Sequence, residues 1–338
     1  MNNPQYKPLI EALKLVASFF TVKSALKNAN TIAIRNNWLI AKTVTNTSAM
    51  CLPLGIDFPD CTVNHFELLT ILKNIPQLKI EQAALSDYDL LAQNDDCTFE
   101  TILQGVIYQI PSFDLAECEP PKQCQNIDPP ANISGALTAA LCAIKIEPKT
   151  LDLNWLHVFI DRRQVWASNG YAALSAQISQ SVNVDLLALS KFDAEVLSKV
   201  KSDLCYVESN GIECKFIFVN GLVYRCSLSA SLETKQISEK IITRLIGLNN
   251  NEVANKFDVP SFFFSQFEIL KQHADISFVE TTAQKPNSDG HDNFTVKQLQ
   301  TFSKLKFTKM YQIFLNEKPC VILTSDDLVA LFLSNVVK

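Results

Sequence analysis

Glycine is scarce, at 8 residues in 338. Loops that cradle phosphates need several glycines close together, so tight-turn nucleotide folds are disfavoured. No G-x-x-x-x-G-K-[ST], G-x-S-x-G or H-E-x-x-H motif occurs, and the four histidines (His65, His157, His273, His291) are scattered. None of the ten cysteines forms a C-x-x-C pair; Cys118 and Cys124 come nearest. Zinc ribbons and dithiol redox motifs are therefore absent from the expectation, as are metals and cofactors. No run of 18 apolar residues exists, so no membrane span is expected. The start, MNNPQYKPLIEALKL, lacks the basic beginning and small-residue cleavage site of a secretory signal. The expectation is a cytoplasmic protein with reduced thiols, in which the sequons at Asn46, Asn132 and Asn293 go unread. An excess of positive charge is missing too. Net charge is −5, which excludes a uniformly basic nucleic-acid binder but leaves room for a locally basic face.

The chain is 47% hydrophobic and 19% charged, so it can bury a core. Its length suits two domains or three small ones. Helical periodicity runs over 6–28, through Leu9, Leu13, Val16, Phe20 and Leu26. Thr31–Arg35 and Trp38–Val44 alternate across Asn36-Asn37, which is a hairpin signal. A strand over 49–54, a helix over 63–75 stopped by Pro76, and strands over 78–84, 88–93 and 99–110 follow. The segment 111–130 holds five prolines and reads as a crossover.

The same order then returns. A helix over 133–146 precedes strands over 155–161, 164–168, 171–178 and 182–189, then a helix over 191–201. Strands over 203–208, 212–219 and 222–229 are joined by Asn210-Gly211 and Asn220-Gly221. A shortened third copy has helices over 259–274 and 294–305 and strands over 276–281, 310–315, 321–325 and 328–337. The second helices centre near Phe66, Phe192 and Phe294, spacings of 126 and 102 residues, so the third copy is 24 residues short. Its missing strands are either absent or supplied from 240–257.

This order resembles the sliding DNA clamp family, which includes the bacterial polymerase III beta subunit and proliferating cell nuclear antigen. Three stretches carry the likeness. The hairpin His157-Val-Phe-Ile-Asp-Arg-Arg-Gln-Val-Trp-Ala-Ser-Asn-Gly-Tyr-Ala-Ala-Leu174 is similar to the clamp strand running into Ala-Thr-Asp-Gly-His-Arg-Leu. Phe294–Lys304 resembles the last clamp helix, and the tail from Tyr311 to Val337 resembles the closing meander. Tyr171-Ala172 stands where the bacterial pattern has His-Arg, and Ser334-Asn335 where Met-Pro or Ala-Pro is usual. Divergence of this kind suits a virus-encoded or plasmid-encoded clamp.

The resemblance implies an α+β fold of three repeated clamp domains, over 1–115, 131–235 and a shortened 236–338. Helices would line an inner face and antiparallel sheets the outside. It implies a non-enzymatic processivity factor, a homodimeric ring that holds double-stranded DNA without sequence preference and binds a DNA polymerase and a clamp loader. Such a lining must be basic. The six helical segments together carry +7 and the whole chain −5, leaving −12 elsewhere. The lysines placed at the lining are Lys14, Lys23, Lys27, Lys73, Lys145, Lys149, Lys199, Lys201, Lys297 and Lys304. Lysine is also common on any solvated helix face. Arg162 and Arg163 read either as a solvated turn or as a contact at the DNA edge.

By the same resemblance, Leu151, Gly170, Tyr171, Leu174, Leu331 and Leu333 border a groove that takes partner peptides, with Leu174 read equally well as core. A nucleophile and base pair of Cys142 and His157 is outweighed by core roles for both. Asp95-Asp96 and Asp326-Asp327 read as turns before metal ligands, and Phe262–Phe264 as a buried helix start. The rival reading of the whole chain is a β-rich structural or assembly protein that does not encircle DNA.

Overall fold

In the computed structural model of the chain, the residues described are 4–20, 30–75, 77–84, 89–94, 99–105, 131–144, 156–170, 172–182, 184, 186–228, 234–241, 243, 256–258, 278–281, 292–295, 302, 304–315 and 318–333. The chain divides into two compact units. One comprises Met1–Pro130 and Lys199–Ser227; the other comprises Ala131–Ser198 and Leu228–Lys338.

The first unit is built on a seven-stranded antiparallel sheet. β1 (Thr31–Arg35) and β2 (Trp38–Lys42) form the expected hairpin. Asn36 and Asn37 have φ of 48° and 64°, the pair of left-handed residues that a type I′ turn requires. β3 (Ser48–Pro53) continues beyond β2, and β4 (Cys61–Asn64) returns to pair with β1. The sheet is completed by strands from far along the chain. β12 (Leu204–Ser209), β13 (Glu213–Phe218) and β14 (Val223–Ser227) form a meander, and β14 pairs antiparallel with β3. The strand order is β12-β13-β14-β3-β2-β1-β4. Gly221, at φ 82°, turns the meander against β2 and β3; a Cβ there would meet the Pro53 ring at 3.2 Å and Trp38 at 3.7 Å.

Strand alternation gives this sheet two apolar faces. Ala33, Ile40, Cys51, Val223 and Ile217 cluster on one, flanked by half-buried Trp38 and Tyr206. Phe216 and Tyr224 point the other way, where the Phe19 ring lies 6.2 Å from that of Tyr224. Phe19 belongs to the short turn that ends α1 (Lys7–Val16). α1 buries Leu9, Ile10, Leu13 and Val16 and exposes Lys7, Glu11 and Lys14, the division its 3.6-residue periodicity dictates. A separate three-stranded sheet, β5 (Leu78–Gln82), β6 (Leu90–Asn94) and β7 (Glu100–Leu103), completes the described part of this unit. The Tyr6 hydroxyl accepts from Ile80 N at 3.2 Å and ties the start of α1 to β5.

α2 (His65–Asn74) follows β4 directly. The Asn64 side chain accepts from Phe66 N at 2.9 Å and Glu67 N at 3.3 Å, capping the helix. Ile75 is extended, as the residue before a proline tends to be. His65 is fully buried, with Nε2 2.8 Å from the Leu13 carbonyl and the Phe20 and Phe66 rings on either side. Burial lowers its pKa from 6.5, so the neutral ring is the form that pins α2 to α1.

The second unit repeats part of this design. β8 (His157–Asp161), β9 (Gln164–Ser168), β10 (Ala172–Gln177) and β11 (Leu187–Ser190) have the order β11-β8-β9-β10, matching β4-β1-β2-β3. A distant meander again extends the set: β18 (Lys309–Leu315), β19 (Lys318–Thr324) and β20 (Leu328–Leu333), with β20 antiparallel to β10. β15 (Lys256–Asp258) adds outside β18, so 240–257 does contribute an edge strand here. α3 (Ser134–Ile144) packs across β8, β9 and β10, and α4 (Lys191–Leu197) packs on α3. The Ser134 hydroxyl donates to the Ser198 carbonyl at 2.7 Å, and the Ser190 side chain caps α4 through Asp193 N. A fifth helix, α5 (234–241), sets Ile237 and Ile241 against Phe159, Trp166, Ala173, Ile322 and Leu331. β16 (Phe278–Thr281) and β17 (Asp292–Thr295) form an antiparallel pair with no further strand among the described residues.

Several boundaries differ from expectation. The first helix ends at Val16, because Phe19 and Phe20 turn inward to pack on Tyr224 and His65. The segment over 63–75 begins as strand, since Val63 and Asn64 are held in the β1 ladder. Phe294 and Thr295 likewise belong to β17 rather than to a helix start. α4 stops at Leu197, and α5 was not expected at all. The helix expected over 259–274, with Phe262–Phe264, lies outside the described residues.

Candidate nucleic-acid interface

Five of the ten lysines assigned to a DNA-facing surface fall on described residues, and all five are exposed. Lys14 is on the solvent side of α1 and Lys73 in the last turn of α2. Lys199 and Lys201 follow α4, and Lys304 precedes β18. Lys7 and Lys306 are exposed beside them and were not singled out. Arg162 and Arg163 form the exposed turn between β8 and β9. Lys23, Lys27, Lys145, Lys149 and Lys297 lie outside the described residues.

Observed helix bounds change the charge pattern. Within them α1, α2, α3, α4 and α5 carry +1, 0, 0, −1 and +1. The rest of the positive excess read from the sequence falls on Lys199, Lys201, Lys304 and Lys306 beside the described elements, or outside the described residues. Lys73 and Lys199 stand at helix C-terminal ends, where a cation also complements the helix dipole. α3 has no charged residue; it exposes only Gly135 and Thr138, so its outer surface is small and neutral.

The six groove residues separate. Gly170 is exposed in the β9–β10 turn with φ 83°, and Ala172 N donates to Asn169 Oδ1 across it. Leu331 pairs with Ala173, so both side chains point to the α5 side. Leu174 pairs with Ala330 on the opposite face and is wholly buried. Leu174 and Leu331 thus cannot border one groove; Ala173 is the neighbour of Leu331. Leu151 and Tyr171 lie outside the described residues, as does the Leu333 side chain.

The remaining candidates take structural places. Cys142 is buried on α3 and its Sγ donates to the Thr138 carbonyl. The His157 ring lies 6.3 Å from that of Phe159 at the start of β8. Asp326 and Asp327 make the exposed turn between β19 and β20. Among the described residues no group of three His, Cys, Asp or Glu side chains can hold a metal ion, and six cysteines are free thiols. Burial raises the Cys61 thiol to about 12, which leaves it protonated and inert. No described helix is long and apolar enough to cross a membrane.

No family model matches the chain, and no curated protein matches it by sequence. Solved structures do. The chain has the fold of the DNA polymerase III beta subunit, the bacterial sliding clamp. A protein from Eubacterium rectale described as such a subunit superposes with a TM-score of 0.70 at 11% identity, covering 98% of both chains. The Helicobacter pylori beta clamp bound to a DNA ligase peptide gives 0.65 at 14% identity, covering 98% of this chain and 99% of that one. The beta subunit from Thermotoga maritima gives 0.65 at 10%, covering 99% and 98%.

Proposed function

We propose that the protein is a sliding clamp: a ring of clamp-like domains, three per chain, that encircles duplex DNA and tethers a polymerase to it. The observation that carries this reading is the fold likeness across the whole length of both chains, not a single motif. The repeated strand orders β4-β1-β2-β3 and β11-β8-β9-β10 support a reading in repeated domains. The role is topological and needs no catalysis, cofactor or metal, in a protein working in the cytoplasm on DNA as two copies with a polymerase and a clamp loader. Exposed Lys14, Lys73, Lys199, Lys201 and Lys304, with Arg162 and Arg163, supply nonspecific phosphate contacts in this reading, joined by Lys23, Lys27, Lys145, Lys149 and Lys297. Sliding follows because such contacts are individually weak and carry no base readout. Partner peptides, like the ligase peptide on the Helicobacter pylori clamp, dock beside the Gly170 turn in this reading, with Ala173 in the place first given to Leu174.

The test is retention on DNA after loading. Protein on closed circular duplex is expected to survive a wash at high salt and to be lost when the circle is cut. Salt weakens phosphate contacts but does not open a topological link. Equal loss from circular and linear DNA would overturn the proposal.

A further inference from the structure

Three Asn-Gly pairs occur in the sequence: Asn169-Gly170, Asn210-Gly211 and Asn220-Gly221. Each turns the chain between two strands, and the three glycines have φ of 83°, 86° and 82°. Asparagine before glycine is open to attack by the main chain on its own side chain, because no Cβ shields the glycine nitrogen. The three turns treat that reaction differently. Asn169, between β9 and β10, is only 5% exposed. Its Oδ1 accepts from Ala172 N at 2.8 Å, and its own N–H donates to the Ala172 carbonyl at 3.1 Å. Burial keeps water, which the reaction consumes, from this carboxamide. Asn220, between β13 and β14, is exposed, but its glycine is buried and held. Gly221 N donates to the Phe218 carbonyl at 2.9 Å, and a Cβ on Gly221 would meet Pro53 at 3.2 Å, so the main chain has little room to move. Asn220 Oδ1 accepts from Leu222 N at 3.2 Å, and Asn220 N donates to Ser202 Oγ at 3.1 Å.

The turn between β12 and β13 lacks both protections. Asn210 and Gly211 are both exposed. Asn210 Oδ1 accepts from two main-chain donors, Ile212 N at 3.0 Å and Glu213 N at 2.8 Å. Gly211 N donates to the exposed Ser209 hydroxyl at 3.3 Å, a long bond that water readily replaces. We propose that Asn210 is a site of self-modification: the fold promotes its deamidation and suppresses the same reaction at Asn169 and Asn220. The inference does not depend on the clamp reading.

Each step balances. Gly211 N gives its proton to solvent and forms a bond to Asn210 Cγ. Negative charge develops on Oδ1, and the two N–H groups already aimed at that oxygen stabilise it as an oxyanion hole does. The Cγ–Nδ2 bond then breaks, and Nδ2 takes a proton from solvent and leaves as ammonia. Water opens the resulting succinimide. Cleavage at the Cγ side gives aspartate at position 210; cleavage at the main-chain carbonyl gives isoaspartate, in which the chain runs through Cβ. One water is consumed, one ammonia is released, and nothing is oxidised or reduced. The new carboxylate joins exposed Glu208 and Glu213 at the same turn, so the product is a more acidic chain. In its isoaspartyl form an extra main-chain carbon enters the turn that the Asn210 N to Glu213 carbonyl bond closes at 3.2 Å. β14 and its seam with β3 lie beyond β13, so the sheet is expected to survive the change.

Ageing the folded chain tests this. The full-length protein is held at mildly alkaline pH and sampled over time. Digestion and mass spectrometry then read the fraction of each Asn-Gly peptide that has exchanged ammonia for water. Asn210 is expected to convert at least about 10-fold faster than Asn169 or Asn220, a conservative share of what one aimed donor contributes to such a step. The same chain aged in urea should lose the preference, because the three pairs then share one local chemistry. Asn210→Gln should remove the acidic species that accumulates on isoelectric focusing. Equal rates at the three pairs in the folded chain, or the same preference persisting in urea, would overturn the inference. An acidic species that survives Asn210→Gln and maps to Asn169 or Asn220 would overturn it as well.

Discussion

Replacing Tyr224 with alanine is expected to destabilise the first unit by about 3–5 kcal/mol, the range for deleting a large buried aromatic side chain. Tyr224 is fully buried on β14, where it faces Met50 of β3 across the junction between the late meander and the early strand set. Its ring packs 6.2 Å from Phe19 and 6.5 Å from Phe216. One truncation therefore loosens α1, β13 and the β3–β14 seam together. Domain stability is typically about 5–15 kcal/mol, so a loss of this size is readily seen in urea unfolding followed by Trp38 fluorescence. Ile212→Ala, in the same meander but 72% exposed, should stay within about 0.5 kcal/mol of the parent. Equal effects from the two substitutions would mean that the seam is not part of the core.

The second large effect concerns DNA. Changing Lys14, Lys73, Lys199, Lys201 and Lys304 to glutamate together is expected to weaken binding to a short linear duplex about 100-fold or more at low salt. The slope of log affinity against log salt should fall by up to about one for each lysine that meets a phosphate. Lys79→Glu is the control. Lys79 is an exposed lysine on β5, paired with Glu81 at 2.6 Å, and clamp helices do not include it. Thermal stability should change little, because all five sites are solvated. An unchanged salt slope in the five-site variant would remove these lysines from the interface.

Much of the strand framework was legible because local chemistry and tertiary structure agree there. Asn36-Asn37, Asn210-Gly211 and Asn220-Gly221 turn where the alternating runs on either side require. Helix limits were less legible. Val63 and Asn64 fit a helical pattern, but the β1 ladder holds them as strand. Phe19 and Phe20 fit the first helix, but aromatic packing turns the chain out of it. Of the charge excess in the sequence, Lys199 and Lys201 lie just past α4, because the window drawn by periodicity ran beyond Leu197. The sequence left Leu174 open between core and groove, and the structure buries it. Likeness in a strand fixes position only to within a residue, and one residue reverses the face. What no local pattern could give is the seam of β14 with β3 or of β20 with β10. Residues at least 172 positions apart meet at the first seam and at least 152 at the second, through backbone edges that any sequence presents.

Everything in the proposed function depends on flanking lysines and helices surrounding an opening that admits a double strand. Projection images of the assembled particle test this most directly. A two-copy annulus with a hole about 30–40 Å across is expected, the width of a duplex of roughly 20 Å with its water. Solid particles, with the same lysines dispersed over a closed exterior, would contradict it.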